Sequence, residues 1–380
     1  MSVIKTAMIG TGFMGKVHVE AIRRLGPVEV AAVAASTLDE ARAFAAKMNV
    51  PKATTFEEIL ADPTIDAVHI GTPNALHFPM SAAALKAGKH VLCEKPMTMT
   101  AAEGKKLVDL AAKSGKVTAV NHNLRYYPVV QQIRQMIAAG ELGDVLIVNG
   151  TYYQDWLLYD TDYNWRVESA ANGKLRAMGD IGSHWMDMIQ HLTGLKISAV
   201  CADLSIFHPT RKKPKGSVET FSAKKTKFKE YDEIAIDTDD HGSVLLRLGD
   251  RARGNFSVSQ MSAGCKNRFQ FEVFGTKCGV AWNQERPDEL WIGHRNSPNQ
   301  IIIKDGSLML PRAAAFAELP GGHSEGYDDA HKNLFKRFYA RIANPKVEVD
   351  YPTFEDGYWG MKVLEKVLES SQKQKWMAVK

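Results

Sequence analysis

Apolar residues in the first third of the chain gather into five short runs, at residues 5–9, 28–33, 67–70, 90–93 and 117–120. Runs of this length with few polar interruptions are what strands buried on both faces require. Between them apolar positions recur at helical spacing, to about residue 25 and then around 39–48, 56–60, 78–87 and 100–113. Strand and helix in alternation predict a parallel sheet covered on both faces. Gly88 and Gly115 stand just past two helix ends, where a left-handed cap favours glycine.

After Pro128 the rhythm changes. One helix pattern reaches about residue 139, and short alternating stretches follow at 146–152, 199–206, 243–248, 254–260 and 269–274, interrupted by a helical segment at 181–192. Strands in succession predict a large, open, mainly antiparallel sheet. Residues 208–230 show little apolar periodicity and are expected to form a long loop, and helix returns at 328–343 and 354–375. The expected architecture is an α/β dinucleotide-type domain over residues 1–122 and an α+β domain over 123–380, whose last helices are free to pack back on the first.

A length of 380 residues exceeds the roughly 250–300 at which one hydrophobic core stops growing, which agrees with two domains. A net charge of +5 is too small to argue for nucleic acid. Basic residues thicken at Arg211-Lys212-Lys213-Pro214-Lys215 and at Lys224, Lys225, Lys227 and Lys229, without the interleaved aromatics that stack on bases, and read as a solvated loop. Cys93, Cys201, Cys265 and Cys278 are too scattered for a zinc or redox motif and read as buried thiols in a reducing compartment. The sequence passes directly into the first strand and has no apolar run long enough for a membrane span, so a cytoplasmic protein without a membrane partner is expected.

The segment GTGFMG at 10–15 closes the first run and opens the first helix pattern. Gly10 permits a tight turn, Gly12 lets the backbone approach a pyrophosphate, and Gly15 lets helix and strand pack closely. Isolated glycine turns of this kind are common, but one that begins a βαβ unit predicts a Rossmann domain binding a dinucleotide. The run at 90–93 ends in Glu94-Lys95-Pro96, which puts a lysine where such a sheet presents its cofactor. Asp180 and His184 are four apart, so a helix would turn both to one side. Histidine suits the removal of a hydroxyl proton because its ordinary pKa lies near neutrality. His184 is thus the candidate base, Asp180 its orienting carboxylate, and Lys95 a donor to a developing alkoxide. Singly, each has a plainer reading as a surface pair or a strand-end charge. Asp180, His184 and Asp187 also have metal-binding chemistry, but one helix supplying three ligands is unusual, and no metal is expected.

GTGFMG, TPNALH at 72–77, Glu94-Lys95-Pro96 and GDIGSHWMD at 179–187 together resemble, in order and spacing, the glucose-fructose oxidoreductase and inositol dehydrogenase (Gfo/Idh/MocA) family. TYYQDW at 151–156, Asn164-Trp165-Arg166, DTDDHG at 237–242 and GYDDAH at 326–331 are similar to its levoglucosan dehydrogenase branch. The resemblance implies that Gly10, Gly12, Phe13, Met14, Gly15, Ser36, Thr72, Pro73, Asn74, His77, Glu94, Lys95, Asn123, Trp165 and Arg166 bind NAD or NADP. It implies that Lys95, Asp180 and His184 carry the reaction, and that Lys95, Asn123, Tyr153, Asp155, Trp156, Asp180 and His184 meet a small sugar substrate. A homodimer or homotetramer packed through the C-terminal sheet is implied as well. Trp156, Trp165 and Arg166 also suit the substrate side chemically, since an indole offers an apolar face to a sugar ring and a guanidinium offers fixed donors. Core packing is the competing reading for the tryptophans and for Tyr126 and Tyr127.

Selective NAD binding usually places an acid at the end of the second strand, whereas this chain has Val33-Ala34-Ala35-Ser36-Thr37, with Arg42 the nearest arginine. NADP is therefore expected to be tolerated. The implied activity is hydride transfer between a secondary hydroxyl, at C3, of a sugar, anhydrosugar or glycoside and the nicotinamide. Two readings compete: a redox-neutral glycoside-processing enzyme that retains its NAD, and a sugar sensor without catalysis.

Overall fold

The computed structural model describes residues 3–216 and 230–380. Its contacts divide the chain into two compact units, one of residues 1–123 with 331–361 and one of 124–330 with 362–380.

The first unit opens with β1 (Ile4–Ile9), α1 (Phe13–Arg23), β2 (Val28–Ala34), α2 (Leu38–Met48), β3 (Lys52–Ala53) and α3 (Phe56–Ala61). It continues with β4 (Ala67–Ile70), α4 (His77–Lys86), β5 (His90–Cys93), α5 (Ala101–Ser114) and β6 (Thr118–Val120). Its strands form a six-stranded sheet in the order β3-β2-β1-β4-β5-β6, every pair parallel. The order reverses between β1 and β4, which is the point where such sheets bind nucleotides beyond the carboxyl ends of their strands. Thr55 and Thr100 begin α3 and α5 with capping boxes, each pairing with a glutamate three residues on. Gly88 and Gly115 have φ of 76° and 65°, as their positions past helix ends predict.

The second unit holds α6 (Pro128–Ala138), β7 (Val145–Tyr153), α7 (Ser169–Asn172) and α8 (Ser183–Thr193), the last preceded by a π-helical turn at Met178–Gly182. Next come β8 (Ile197–Ser205), β9 (Thr210–Pro214), β10 (Tyr231–Ala235), β11 (His241–Leu248), β12 (Ala252–Ser259) and β13 (Arg268–Gly275). The chain ends with β14 (Gly279–Asn283), β15 (Glu289–Gly293), β16 (Gln300–Ile303), α9 (Pro311–Ala314), α10 (Tyr327–Ala343), α11 (Phe354–Lys373) and β17 (Met377–Ala378). Nine strands form one sheet in the order β16-β15-β14-β13-β7-β12-β11-β8-β17. Only β7 and β12 run parallel, so the sheet is mixed and mostly antiparallel. Trp185 on α8 stacks on Phe256 with centroids 4.4 Å apart and donates its indole N–H to the Gln270 carbonyl at 3.1 Å. Gly150 on β7 makes room for it, since a Cβ there would lie 2.5 Å from the Trp185 nitrogen.

Three expectations change. Residues 210–214, expected in a loop, form β9 and pair with β10. Arg211, expected in solvent, is fully buried, its guanidinium donating to Asp240 and to the Leu157, Tyr159 and Asp162 carbonyls. Lys224, Lys225, Lys227 and Lys229 lie outside the described residues. Of the cysteines only Cys93 is buried; Cys201, Cys265 and Cys278 are half-buried, and all four are free thiols. Among the described residues no helix is long and apolar enough to cross a membrane.

Candidate functional site

In the first unit the expected cofactor residues lie beyond the carboxyl ends of β1, β2, β4, β5 and β6. Gly10 has φ of 101°, and a Cβ there would lie 2.6 Å from the Gly71 carbonyl oxygen, so the β1–β4 approach requires glycine. Gly15 is held equally close to the Gly10 carbonyl. At Gly12 an added Cβ would meet nothing within 4 Å. The loop thus has two glycines needed for its own packing and a third that leaves open space at the first turn of α1. That is the fit expected of a pyrophosphate cradle. Phe13 is exposed beside it, and Met14 is half-buried.

Ser36, past β2, donates its hydroxyl to the Glu40 carboxylate, and Thr37 caps α2 by accepting the Glu40 N–H. The sequence places no acid at the strand end, but the first turn of α2 supplies one. Arg42, the nearest arginine, is exposed and paired with Asp39 at 3.1 Å.

Past β4, Thr72 and Pro73 lead into a short turn at Asn74–Leu76. Asn74 and His77 are buried, and both ring nitrogens of His77 face carbonyl oxygens, of Pro96 at 2.8 Å and Thr72 at 2.9 Å. Burial holds this imidazole below its ordinary pKa. His77 therefore braces two loops instead of presenting its ring to a ligand. Past β5, Glu94 is buried, and its carboxylate accepts from His18 Nε2 at 2.8 Å and from Asn121. Burial pushes this carboxyl up, but the His18 hydrogen bond and charge, then Lys95 and Asn121, outweigh it and keep it below the usual carboxylate range. Lys95 is half-buried, with its backbone N–H on Glu94 Oε2 at 3.2 Å. Asn123, past β6, bonds His331 at 3.2 Å.

In the second unit Asp180 sits inside the π turn and His184 in the first turn of α8. Turns of this kind recur at functional sites. Asp239 fixes this one: its carboxylate accepts the backbone N–H groups of Arg176 at 2.6 Å and Met178 at 2.7 Å. Asp240 pairs with the buried guanidiniums of Arg176 and Arg211. Asp180 is clamped by Gln260 Nε2 at 2.9 Å and Arg166 Nε at 3.4 Å. The Arg166 guanidinium also lies 4.4 Å over the ring of Trp165. Tyr152 is buried with its ring 6.4 Å from that of His184 and its hydroxyl donating to Asn267 at 2.7 Å. Burial first, and then the Asp180 charge, raise its phenol well above the ordinary value. Asp180, Arg166, Gln260, Tyr152 and His184 thus form one polar cluster.

Other expected substrate residues have partners of their own in this unit. Tyr153 follows Tyr152 on β7 and so turns to the opposite face of the sheet, where its hydroxyl meets Ser257 at 2.5 Å. Asp155 pairs with Lys266 at 2.5 Å and accepts the Gly264 N–H, which anchors a turn. Trp156 packs with Leu157, Val167 and Ile236 in a small core and donates its indole N–H to Gln154 at 2.8 Å. Tyr126 and Tyr127 are core residues, packed on Phe316 and Trp282. Asp187 is taken up by a buried two-point pair with Arg125, so it cannot complete a metal site with Asp180 and His184.

Gln260, Asn267, Asp239 and Tyr152 were not singled out as site residues from sequence. Strand parity was a usable signal for Tyr152, since it shares a face with the buried Val148.

Residues 4–122 match the oxidoreductase family with an NAD-binding Rossmann fold, and residues 130–281 match the GFO/IDH/MocA C-terminal domain. With the glycine cradle and the clamped carboxylate, these matches define a nicotinamide-dependent oxidoreductase. The chain belongs to the Gfo/Idh/MocA family. It is 30% identical over 399 residues to levoglucosan dehydrogenase of Pseudarthrobacter phenanthrenivorans, covering 100% of this chain and 99% of that protein. Glucose-6-phosphate 3-dehydrogenase of Bacillus subtilis is 24% identical, with 99% and 98% of the two chains covered. A solved levoglucosan dehydrogenase in complex with NADH and levoglucosan superposes with a TM-score of 0.89 at 28% identity, over 99% of each chain.

Proposed function

We propose that the protein oxidises a secondary ring hydroxyl, at C3, of an anhydrosugar or glycoside, with NAD as the hydride acceptor. The observation that carries this reading is the clamped Asp180 with His184 and Tyr152 beside it. His184 takes the hydroxyl proton. Asp180, fixed by Gln260 and Arg166, orients the imidazole and balances the charge it gains. Lys95 donates a hydrogen bond to the substrate oxygen as negative charge builds there. The glycine loop holds the dinucleotide by its pyrophosphate, and Glu94 and Asn123 flank the nicotinamide. When bound, the nicotinamide supplies a hydride acceptor for the carbon that bears the hydroxyl.

The name levoglucosan dehydrogenase supports an anhydrosugar, and the name glucose-6-phosphate 3-dehydrogenase supports the choice of carbon. NAD is preferred because the Glu40 carboxylate on Ser36 would face a 2′-phosphate. The reading includes a homo-oligomer through the outer face of the nine-stranded sheet. There a hollow of about 810 Å³ lined by Asn149, Thr151, Gln270 and Trp291 adjoins exposed Ile301. Sedimentation at a single-chain mass would remove that part.

The function itself is tested with a panel of anhydrosugars, glycosides, inositols and free monosaccharides, each with NAD and with NADP, read by nicotinamide absorbance. Reduction by levoglucosan-type sugars and glycosides with NAD is expected. Turnover restricted to free reducing sugars would overturn the reading.

A further inference from the structure

Behind Glu94 the first unit buries a chain of polar side chains that no step above uses. His18 Nε2 meets Glu94 Oε1 at 2.8 Å, His18 Nδ1 meets His69 Nδ1 at 2.9 Å, and His69 Nε2 meets the Tyr339 hydroxyl at 2.8 Å. All three of these inner residues are nearly inaccessible to solvent. Phe335 lies edge-on to both imidazoles, at 4.9 Å and 4.8 Å, and closes the chain off from water. On α10, His331, Phe335 and Tyr339 are spaced four apart, so one helix face supplies three members of the cluster. His331 also bonds Asn123.

The proton positions along this chain are nearly determined. A carboxylate only accepts, so His18 Nε2 carries a hydrogen toward Glu94. Two imidazole nitrogens 2.9 Å apart must share a single hydrogen. Burial, reinforced by the His18 charge, holds His69 well below its ordinary pKa, so His69 has one N–H. If that N–H points at His18, Tyr339 donates to His69. If it points at Tyr339, then His18 carries both hydrogens and faces Glu94 as an imidazolium. These two arrangements differ by one proton, stored next to the carboxylate that precedes Lys95.

We propose that His18, backed by His69 and Tyr339, is a positioning residue that keeps Glu94 an ionised, fixed carboxylate beside Lys95. The proposal rests on the role given to Lys95 above. His18, His69, His77, Lys95, His331 and the Cys93 thiol are the titratable groups around Glu94, and Asn121 is its remaining neutral donor. His18, Glu94 and His331 bring polar atoms within 4.8 Å of one another, a spacing that a cation can also use. Two N–H groups already directed at Glu94 Oε1 favour a hydrogen-bonded cluster.

The test compares His18→Leu, His18→Gln and Tyr339→Phe by the pH profile of kcat/KM, with NADH affinity by fluorescence and metal content measured alongside. Without the His18 donor the buried Glu94 carboxyl holds its proton to higher pH, so the acidic limb should move upward by about one pH unit in His18→Leu. His18→Gln, which keeps an amide donor toward Glu94, should recover most of that shift. Tyr339→Phe should fold normally and move the limb less, in the same direction. NADH affinity should stay within about threefold, roughly the 0.6 kcal/mol of thermal energy.

Profiles that superimpose on wild type after scaling, for whichever of these variants fold, overturn the proposal. So does one equivalent of tightly held divalent metal. Failure of the underlying reading looks different: Lys95→Ala would then stay active.

Discussion

The three loop glycines make different demands, and alanine at each should separate folding from cofactor binding. At Gly12, φ is −73°, an ordinary value for any residue, and an added Cβ meets nothing within 4 Å. Gly12→Ala should therefore leave folding unchanged or stabilise it by about 0.4–1 kcal/mol through the unfolded chain. The same methyl occupies the space left for the pyrophosphate, and a crowding cost of about 1–3 kcal/mol corresponds to a loss of NADH affinity of roughly 5- to 150-fold. Gly10→Ala combines a left-handed backbone, at about 1–2 kcal/mol, with a Cβ driven against the Gly71 backbone, at about 1–3 kcal/mol. It should destabilise by about 2–5 kcal/mol, equivalent to a melting-point loss of roughly 5–15 °C for a unit of this size. Thermal melts with and without NADH, together with fluorescence titration, measure both quantities. A Gly12→Ala protein that melts several degrees early, or that binds NADH as wild type does, would refute the assignment of the open space at Gly12 to the cofactor.

Three other outcomes are expected. His184→Ala should lower kcat by about 10²–10⁴ with NADH affinity preserved, and Lys95→Ala should abolish turnover with the same preservation; steady-state kinetics within tenfold of wild type would displace either residue. Glu40→Gln should raise the efficiency with NADP relative to NAD by about tenfold, since it removes the charge facing a 2′-phosphate; an unchanged ratio would mean that Glu40 does not face the ribose. His90 accepts the Val117 N–H on Nδ1 at 2.9 Å, and burial, with the Lys116 charge, presses its pKa down to about 4. A depressed histidine contributes stability that is complete above its unfolded pKa of ~6.5 and is lost as pH falls toward the folded value, here on the order of 2–3 kcal/mol. Urea unfolding from pH 7 to pH 4 should show that loss and His90→Gln should lessen it, whereas parallel slopes would remove His90 from the account.

Much of this architecture was legible because the apolar pattern is local. The runs at residues 67–70 and 90–93 are strands with those same bounds, buried at all four positions of the first and at the last three of the second. Strand β9 was hidden because Arg211 reads as a surface charge until its partner Asp240, distant in sequence, is known. The glycine cradle, Lys95, Asp180 and His184 stood out through spacing and chemistry together. Glu40 was passed over because an acid was sought on the strand, whereas this carboxylate lies on the first turn of the next helix and meets Ser36 only in the fold. Trp156 was ambiguous in the sequence because an indole suits a sugar face and a small core equally well, and its packing on Leu157 and Val167 becomes visible only in the fold. His18, His69 and Tyr339 carried no signal, because their significance lies in two nitrogens and a hydroxyl meeting across elements far apart in sequence.

The account's central claim, oxidation at a secondary ring carbon by the Asp180–His184 pair with Lys95, is tested most directly by identifying the product. Levoglucosan has its anomeric carbon locked in a bridge, and a methyl glycoside has it blocked, so neither can give a lactone. Incubation of each with the enzyme and NAD, followed by NMR of the product, should show a 3-keto sugar in stoichiometric yield with reduced nicotinamide. Inertness of both compounds, alongside formation of a lactone or aldonic acid from a free reducing sugar, would contradict it.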